Sequence, residues 1–248
     1  MTGSSDDDDD DSTILVSAGG NPGQQAPAGV PVDITLDIFS PNVVVTNMTI
    51  RHPQGIPTKR DVGVFVRPPA TNVTVKNLTV ERLRTGSNLE PTTPGSRGML
   101  VFRATGTLIL DNLVRGNYED HIHLPTSGTI VNDNEVENAT RIGIVVIQES
   151  AISLSVNNII KDNEIYNSGT DGVQIQGDNN VVLDNTIVNS GGYGVHLCGS
   201  GSGCVAPGAA ADASENFVID NELSNNTLGN IGNFGTNNTI IDNNDDDD

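Results

Sequence analysis

The stretch Gly172-Val-Gln-Ile-Gln-Gly-Asp-Asn-Asn-Val-Val-Leu-Asp-Asn185-Thr-Ile-Val-Asn-Ser-Gly191 decides the fold. It holds one apolar/polar alternation, a second that ends in Asp-Asn, a brief third, and then Asn, Ser and Gly. Period-two alternation is a strand signal, and Asn, Asp, Ser and Gly are turn residues. The phrase recurs. Anchored on the Asn that ends the second strand, it gives Asn47, Asn77, Asn112, Asn134, Asn163, Asn185, Asn221 and Asn243, with a base spacing of 22 residues. The units start at Asp33, Gly63, Gly98, His121, Gly143, Gly172, Gly194 and Asn230. Longer gaps carry insertions near 52–59, 84–96, 148–154 and 199–214. Such a period is too short for two helices and suits three short strands with turns. The expectation is an all-β solenoid of eight coils, each pairing with the next at about 4.8 Å. Equivalent Asn side chains then stack in a ladder at one corner, and Asn138, Asn167, Asn189 and Asn225 form a second.

The repeat fills residues 32–243. Before it stand an acidic tail (1–11), expected to be disordered, and a strand with a capping loop (12–31). A second acidic tail (244–248) follows. Composition agrees with stacked strands: 35% hydrophobic, 3% aromatic, no Trp and 27 Gly leave Val, Ile and Leu to fill the core. The formal charge is −20, with 32 acidic residues against 12 Lys and Arg. That balance argues against nucleic acid, which clustered bases bind, and against docking on anionic lipid. It also resembles proteins of salt-loving organisms, in which mobile cations screen self-repulsion; a solubility device is the other reading. No apolar run is long enough to span a membrane, and the N-terminus lacks the basic and apolar regions of a signal peptide. Cys198 and Cys204 close a Gly/Ser loop that can carry a disulfide in an oxidising compartment.

The units resemble those of the right-handed parallel β-helix, the pectin-lyase-like superfamily with its carbohydrate-associated repeats. The resemblance covers about residues 32–243 and implies that fold. It also implies that the outward face of the first strand is the ligand surface. Members include polysaccharide lyases, glycoside hydrolases, uronan epimerases, tailspikes and non-catalytic surface proteins, so the fold alone does not choose a function.

In strict alternation, Ile144/Val146, Val173/Ile175 and Val195/Leu197 point inward. One outward column then reads Thr35, Phe65, Leu100, His123, Val145, Gln174, His196, Gly232, and the next includes Arg67, Phe102, Ile147, Gln176, Cys198 and Phe234. Phe65, Leu100, Phe102, Val145 and Ile147 make an apolar wall. It is covered by the chain's own loops, by sister subunits (a trimer is the favoured homo-oligomer) or by sugar rings. Gln174, Gln176 and His196, with Tyr193 at the corner, make a polar, ligand-binding part. The sharpest chemical cluster is Asn117-Tyr-Glu-Asp-His-Ile-His123. His121 stands where most coils have Gly, and residues two apart on a strand share a face, so His121 and His123 are expected to project together beside Tyr118 and Asp120. Tyr, His and carboxylate are what proton removal beside a uronate carboxylate requires. The cluster resembles the Tyr/Asp/His sites of alginate epimerases, without their Asp-Pro-His spacing, and the Gly-His-Gly and Arg-Ile-Lys of polygalacturonases are absent. Zinc on His121 and His123 would need a third ligand.

The residue before each ladder Asn is often Asp, among them Asp133, Asp162 and Asp184. Stacked, these make a strip in which neighbours repel by about 1 kcal/mol, and calcium or concentrated cations would ease it. The leading expectation is therefore a surface-displayed β-helix, extracellular, on a cell surface or on a virion, that engages glycans or partner subunits. The rivals are a lyase or epimerase acting on an acidic polysaccharide, and a bare filament scaffold.

Overall fold

The computed structural model describes residues 13–16, 32–52, 60–82, 95–148, 155–204 and 212–245. The first acidic tail (1–11), residues 246–248 of the second, the capping loop and most of the inserted segments lie outside them, while Asn244–Asp245 forms a short strand on Glu222–Ser224. The chain is a parallel β-helix. The first strands of eight coils form one sheet: Val32–Ile38, Arg60–Val66, Arg97–Val101, Asp120–Leu124, Ile142–Ile147, Val173–Gln176, Tyr193–Leu197 and Gly229–Asn233, here coils 1 to 8. The second and third strands form a 15-stranded sheet, with every pairing parallel. Thr13–Val16 joins it on Val44–His52.

The interior is filled by aliphatic columns. Ile109, Val131, Ile160, Val182 and Val218 stack in one, Val114, Val136, Ile165, Ile187 and Leu223 in another, and all are fully buried. Like on like at each level suits β-branched side chains, which pack well on a pleated surface. At about 25 cal/mol per Å² of apolar surface removed from water, these columns are the main stabilising term.

The corner between second and third strands has a two-residue formula. The first residue takes a left-handed conformation, as at Asp111, Asp133, Asp162, Asp184, Asp220 and Asp242, all near φ +50°. Asp and Asn tolerate that region better than other side chains. The second is the buried Asn. Asn163 Oδ1 accepts from the backbone N–H and the side-chain amide of Asn134 (3.0 and 2.9 Å), while its own amide donates to Val131 O and Asn185 Oδ1. The pattern runs from Asn112 to Asn243. In coils 1 and 2 the expected ladder slips by one. Asn47 and Asn77 are the exposed left-handed residues (φ 56° and 53°), and the buried place falls to Met48 and Leu78. Leu78 N–H donates to Asn112 Oδ1, which begins the ladder there. Asn138, Asn167 and Asn189 do line up, but as an exposed left-handed file with amide contacts of 3.3–3.4 Å. A third ladder, buried, was not read from the sequence: Asn158, Asn180, Asn216 and Asn238, each preceded by a left-handed residue.

Coil 1 also departs from the expected register. Asp37, not Thr35, lies opposite Phe65, because this register places Leu36 and Ile38 beside the core residues Val64 and Val66. It brings Arg67 Nε within 2.8 Å of Asp37.

Candidate functional site

Alternation fails where each first strand begins. Ile142, Val145 and Ile147 cluster on the outside, while Ile144 and Val146 belong to the core. Two successive residues, Gly143 and Ile144, therefore face inward. A Cβ on Gly143 would sit 2.7 Å from the core atom Ile165 Cγ2, and one on Gly98 would sit 2.6 Å from Val114 Cγ1, so glycine is needed there.

His121 occupies this inward position, and the expected pairing with His123 is corrected. The His121 ring is fully buried, edge-on to Tyr118 with centroids 6.0 Å apart, and its Nε2 is 3.0 Å from Gly116 O. Burial pushes its pKa down to about 4, so the ring is neutral at pH 7. Tyr118 fills the room left by Gly63 and Gly98 in the coils below, and burial drives its hydroxyl well above the ordinary tyrosine range. These two residues are core and do not meet a ligand on the outer face.

Asp120 and His123 stay outside. His123 Nδ1 lies 2.9 Å from Asp120 Oδ2. Asp120 also accepts from Arg141 Nε (2.9 Å) and Nη2 (2.6 Å) and pairs with Arg97 Nε at 3.1 Å. Despite its burial, the neighbouring Arg97, His123 and Arg141 hold this carboxyl well below the usual range. Glu119 braces the same guanidiniums, at 3.1 Å from Arg141 and 3.5 Å from Arg97. A carboxylate only accepts, so His123 Nδ1 carries a proton toward Asp120, and the ring is buried at 1% exposure. Sequence reading missed Arg97, Glu119 as a brace, and Arg141. The register that places Arg97 opposite Asp120 was the available signal.

The apolar wall is covered. Val145 and Ile147 are fully buried, Phe65 is 6% exposed, and Leu100 and Phe102 are half-buried against it. Among the described residues, these five side chains are thus largely shielded within the one chain, while Phe234 at the far end of the sheet is 40% exposed. Gln174, Gln176 and His196 are buried too. The His196 ring packs tilted against Tyr193 at 4.9 Å and edge-on to Phe234 at 5.4 Å, and its Nδ1 is 2.8 Å from Asp171 Oδ2. Cys198 and Cys204 form a disulfide. His196, Cys198 and Cys204 set three ligand-type atoms within 4.8 Å of one another, a grouping that the Asp strip does not achieve among the described residues. Asp133, Asp162 and Asp184 are exposed corner residues, with Asp162 paired to Lys161 Nζ at 2.9 Å.

An open groove of about 560 Å³ runs along the corner between third and first strands, lined by Glu81, Arg82, Arg115, Asn117, Asn138 and Thr140. Asn117 and Thr140 lie two and one residues before Glu119 and Arg141, so the groove adjoins the Asp120 cluster. Glu81 sits between Arg51 and Arg115 (2.7 and 2.9 Å), and Arg82 pairs with Asp61. Three guanidiniums thus meet two carboxylates. The bases of the whole chain run only from Arg51 to Lys161; the C-terminal coils contain none.

Comparison with known proteins agrees with this architecture. No curated protein matches the chain. The solved structures it resembles include two mutants of the periplasmic alginate epimerase AlgG. One is 17% identical with a TM-score of 0.64 over 84% of this chain and 46% of that one. The other is 16% identical with a TM-score of 0.64 over 92% and 57%. The catalytic domain of a GH87 α-1,3-glucanase is 13% identical, with a TM-score of 0.50 over 94% and 56%. The chain spans about half the length of these structures, and the likeness is one of fold. The model described as "Right handed beta helix region" matches residues 34–206, most of the chain, and the protein belongs to that family.

Proposed function

We propose that the protein is carbohydrate-active, binding an acidic polysaccharide in the groove at the corner between third and first strands of coils 2 to 5. One observation carries this reading: in a chain of charge −20, every Lys and Arg falls between residues 51 and 161, and Arg82 and Arg115 line the open groove there. Arg115 is 47% exposed and Arg51 38%, so their remaining N–H donors face solvent. Guanidinium forks match the planar carboxylate of a uronate residue, and Asn117, Asn138 and Thr140 supply hydroxyl-directed partners. Such a protein would work outside the cytoplasm or on a virion, where acidic glycans are met.

The test is titration calorimetry with a polyuronate and with a neutral glucan. The polyuronate alone should bind, more weakly as salt rises, and Arg115→Gln should weaken it about tenfold, the loss of one charge-assisted pair. Equal binding of the neutral glucan would remove the reading.

A second reading, a uronate lyase or epimerase, is favoured by the His123–Asp120 pair. A ring held through Nδ1 by an ionised carboxylate is how a general base is oriented. Absorbance of an unsaturated uronate, or an altered sugar configuration by NMR, would reveal it. His123→Gln should abolish that signal while leaving groove binding intact.

A further inference from the structure

Two kinds of asparagine recur along the coils, and they differ in what stands two places further on. A buried ladder Asn is followed there by a core aliphatic: Val136 after Asn134, Ile165 after Asn163, Ile187 after Asn185, Ile160 after Asn158. The exposed left-handed corners differ. Asn47, Asn72, Asn77, Asn138, Asn225 and Asn237 lie between φ +52° and +62°, and each has Thr two places on with no Pro between. Asn-x-Thr, with x other than Pro, is the acceptor pattern for N-linked saccharides. The slip of the ladder in coils 1 and 2 matters here. It hands the buried place to Met48 and Leu78 and leaves the Asn47 and Asn77 amides at the surface. Asp holds the same turn. Among the described corners that use it, from Asp111 to Asp242, only Asp184 has a Thr two places on.

We propose that Asn47, Asn72, Asn77, Asn225 and Asn237 are attachment sites for N-linked saccharides, taken from a lipid-phosphate-linked sugar by a glycosyl transferase of the cell. In that step Asn Nδ2 forms a bond to C1 of the sugar and gives up one proton. The C1–O bond to the phosphate breaks, and the lipid phosphate leaves with the electron pair; nothing is oxidised or reduced. The corners suit such a step. Each left-handed turn holds its amide at the surface, and the threonine that follows is half-buried or exposed. Asn77 Nδ2 lies 3.2 Å from Asn47 Oδ1; a glycosylated amide keeps one N–H, so that contact survives attachment. Asn138 is set apart. It lines the groove with Thr140, whose Oγ1 already donates to Tyr118 O at 3.0 Å, whereas none of the other five lines the groove. The Cys198–Cys204 disulfide belongs to an oxidising space outside the cytoplasm, the side on which such a transfer takes place. The inference stands apart from what the groove binds.

The test is peptide mass spectrometry of the full chain isolated from the organism that makes it, beside the same chain made in a cytoplasm that lacks the transferase. Peptides that hold the five corners should carry saccharide in the first sample and none in the second. Peptides that hold Asn134, Asn163 and Asn185 should be bare in both. In the same organism, Thr49→Val and Thr239→Val should remove the saccharide from Asn47 and Asn237, while Thr49→Ser and Thr239→Ser should keep it. Val fits a strand as well as Thr does, so these changes spare the fold. The unaltered chain is itself a readout that needs no variant. Bare amides at all five corners, saccharide confined to Asn138, or saccharide that stays on Asn47 after Thr49→Val would each overturn the proposal.

Discussion

Coils 3 to 5 and coils 6 to 7 each hold a histidine bound through Nδ1 to an aspartate, on the same wall and in the same two columns. Their surroundings differ. Asp120 is gripped by Arg97 and Arg141 as well as by His123, whereas Asp171 takes His196 and a backbone N–H as its hydrogen-bond partners and meets Arg141 of the neighbouring coil only through space. One pair is thus a charge-balanced network beside an open groove, suited to anions. The other is an imidazole packed against Tyr193, Phe234 and the Cys198–Cys204 disulfide. A repeated fold supplies equivalent positions, and the neighbouring charges decide what each position does.

The comparison is broken most severely at the aspartates. Asp120→Ala strands two buried or half-buried guanidiniums and should cost about 3–5 kcal/mol. Asp171→Ala orphans one ring N–H and one backbone N–H and should cost about 1–3 kcal/mol. Urea midpoints at pH 7 measure both, and equal losses would show that the arginines add nothing. Next comes a pH effect confined to coil 4. His121 stays neutral in the fold down to about pH 4, while in the unfolded chain it takes a proton below about pH 6.5. The unfolded state therefore binds more protons between these values. Stability is complete above about pH 6.5, falls as pH drops through the window by about 3 kcal/mol, and levels off below it. His121→Gly, the residue that Gly98 and Gly143 supply at this place, should flatten that slope.

The two regions share a spine, and cutting it calibrates the others. Asn163→Ala leaves the Asn134 N–H and Val131 carbonyl without their partner and should cost about 2–4 kcal/mol. Asn167→Gly, in the exposed file, keeps its left-handed turn and should stay within about 0.5 kcal/mol. A comparably small effect belongs to the acidic edge, where burial, together with Glu137 and Glu164, raises the Glu135 pKa. Added salt should stabilise by about 1 kcal/mol or less, and calcium should do no more than sodium at equal ionic strength.

The stacking was legible because period-two alternation and a corner Asn recur with every coil, from Asn112 to Asn243. The slips came where chemistry substitutes without changing pattern. Met48 and Leu78 take the buried ladder place, and Asn47 and Asn77 then read as ladder members although they are left-handed turn residues. The pairing of His121 with His123 failed because two successive residues turn inward at the strand start, a backbone feature that strict alternation does not contain. Arg97, Arg141 and Asp171 were missed for a related reason: their roles arise between coils, 21 to 25 residues apart, and need the register before they can be paired.

The most direct test of the account is a hydrogen-exchange footprint of the whole chain with and without a polyuronate. Protection confined to segments around Glu81–Arg82, Arg115–Asp120 and Asn138–Arg141, with Asp171–Cys198 unchanged, is the result predicted. Protection centred on the base-free coils, or none in the groove at saturating ligand, would contradict it.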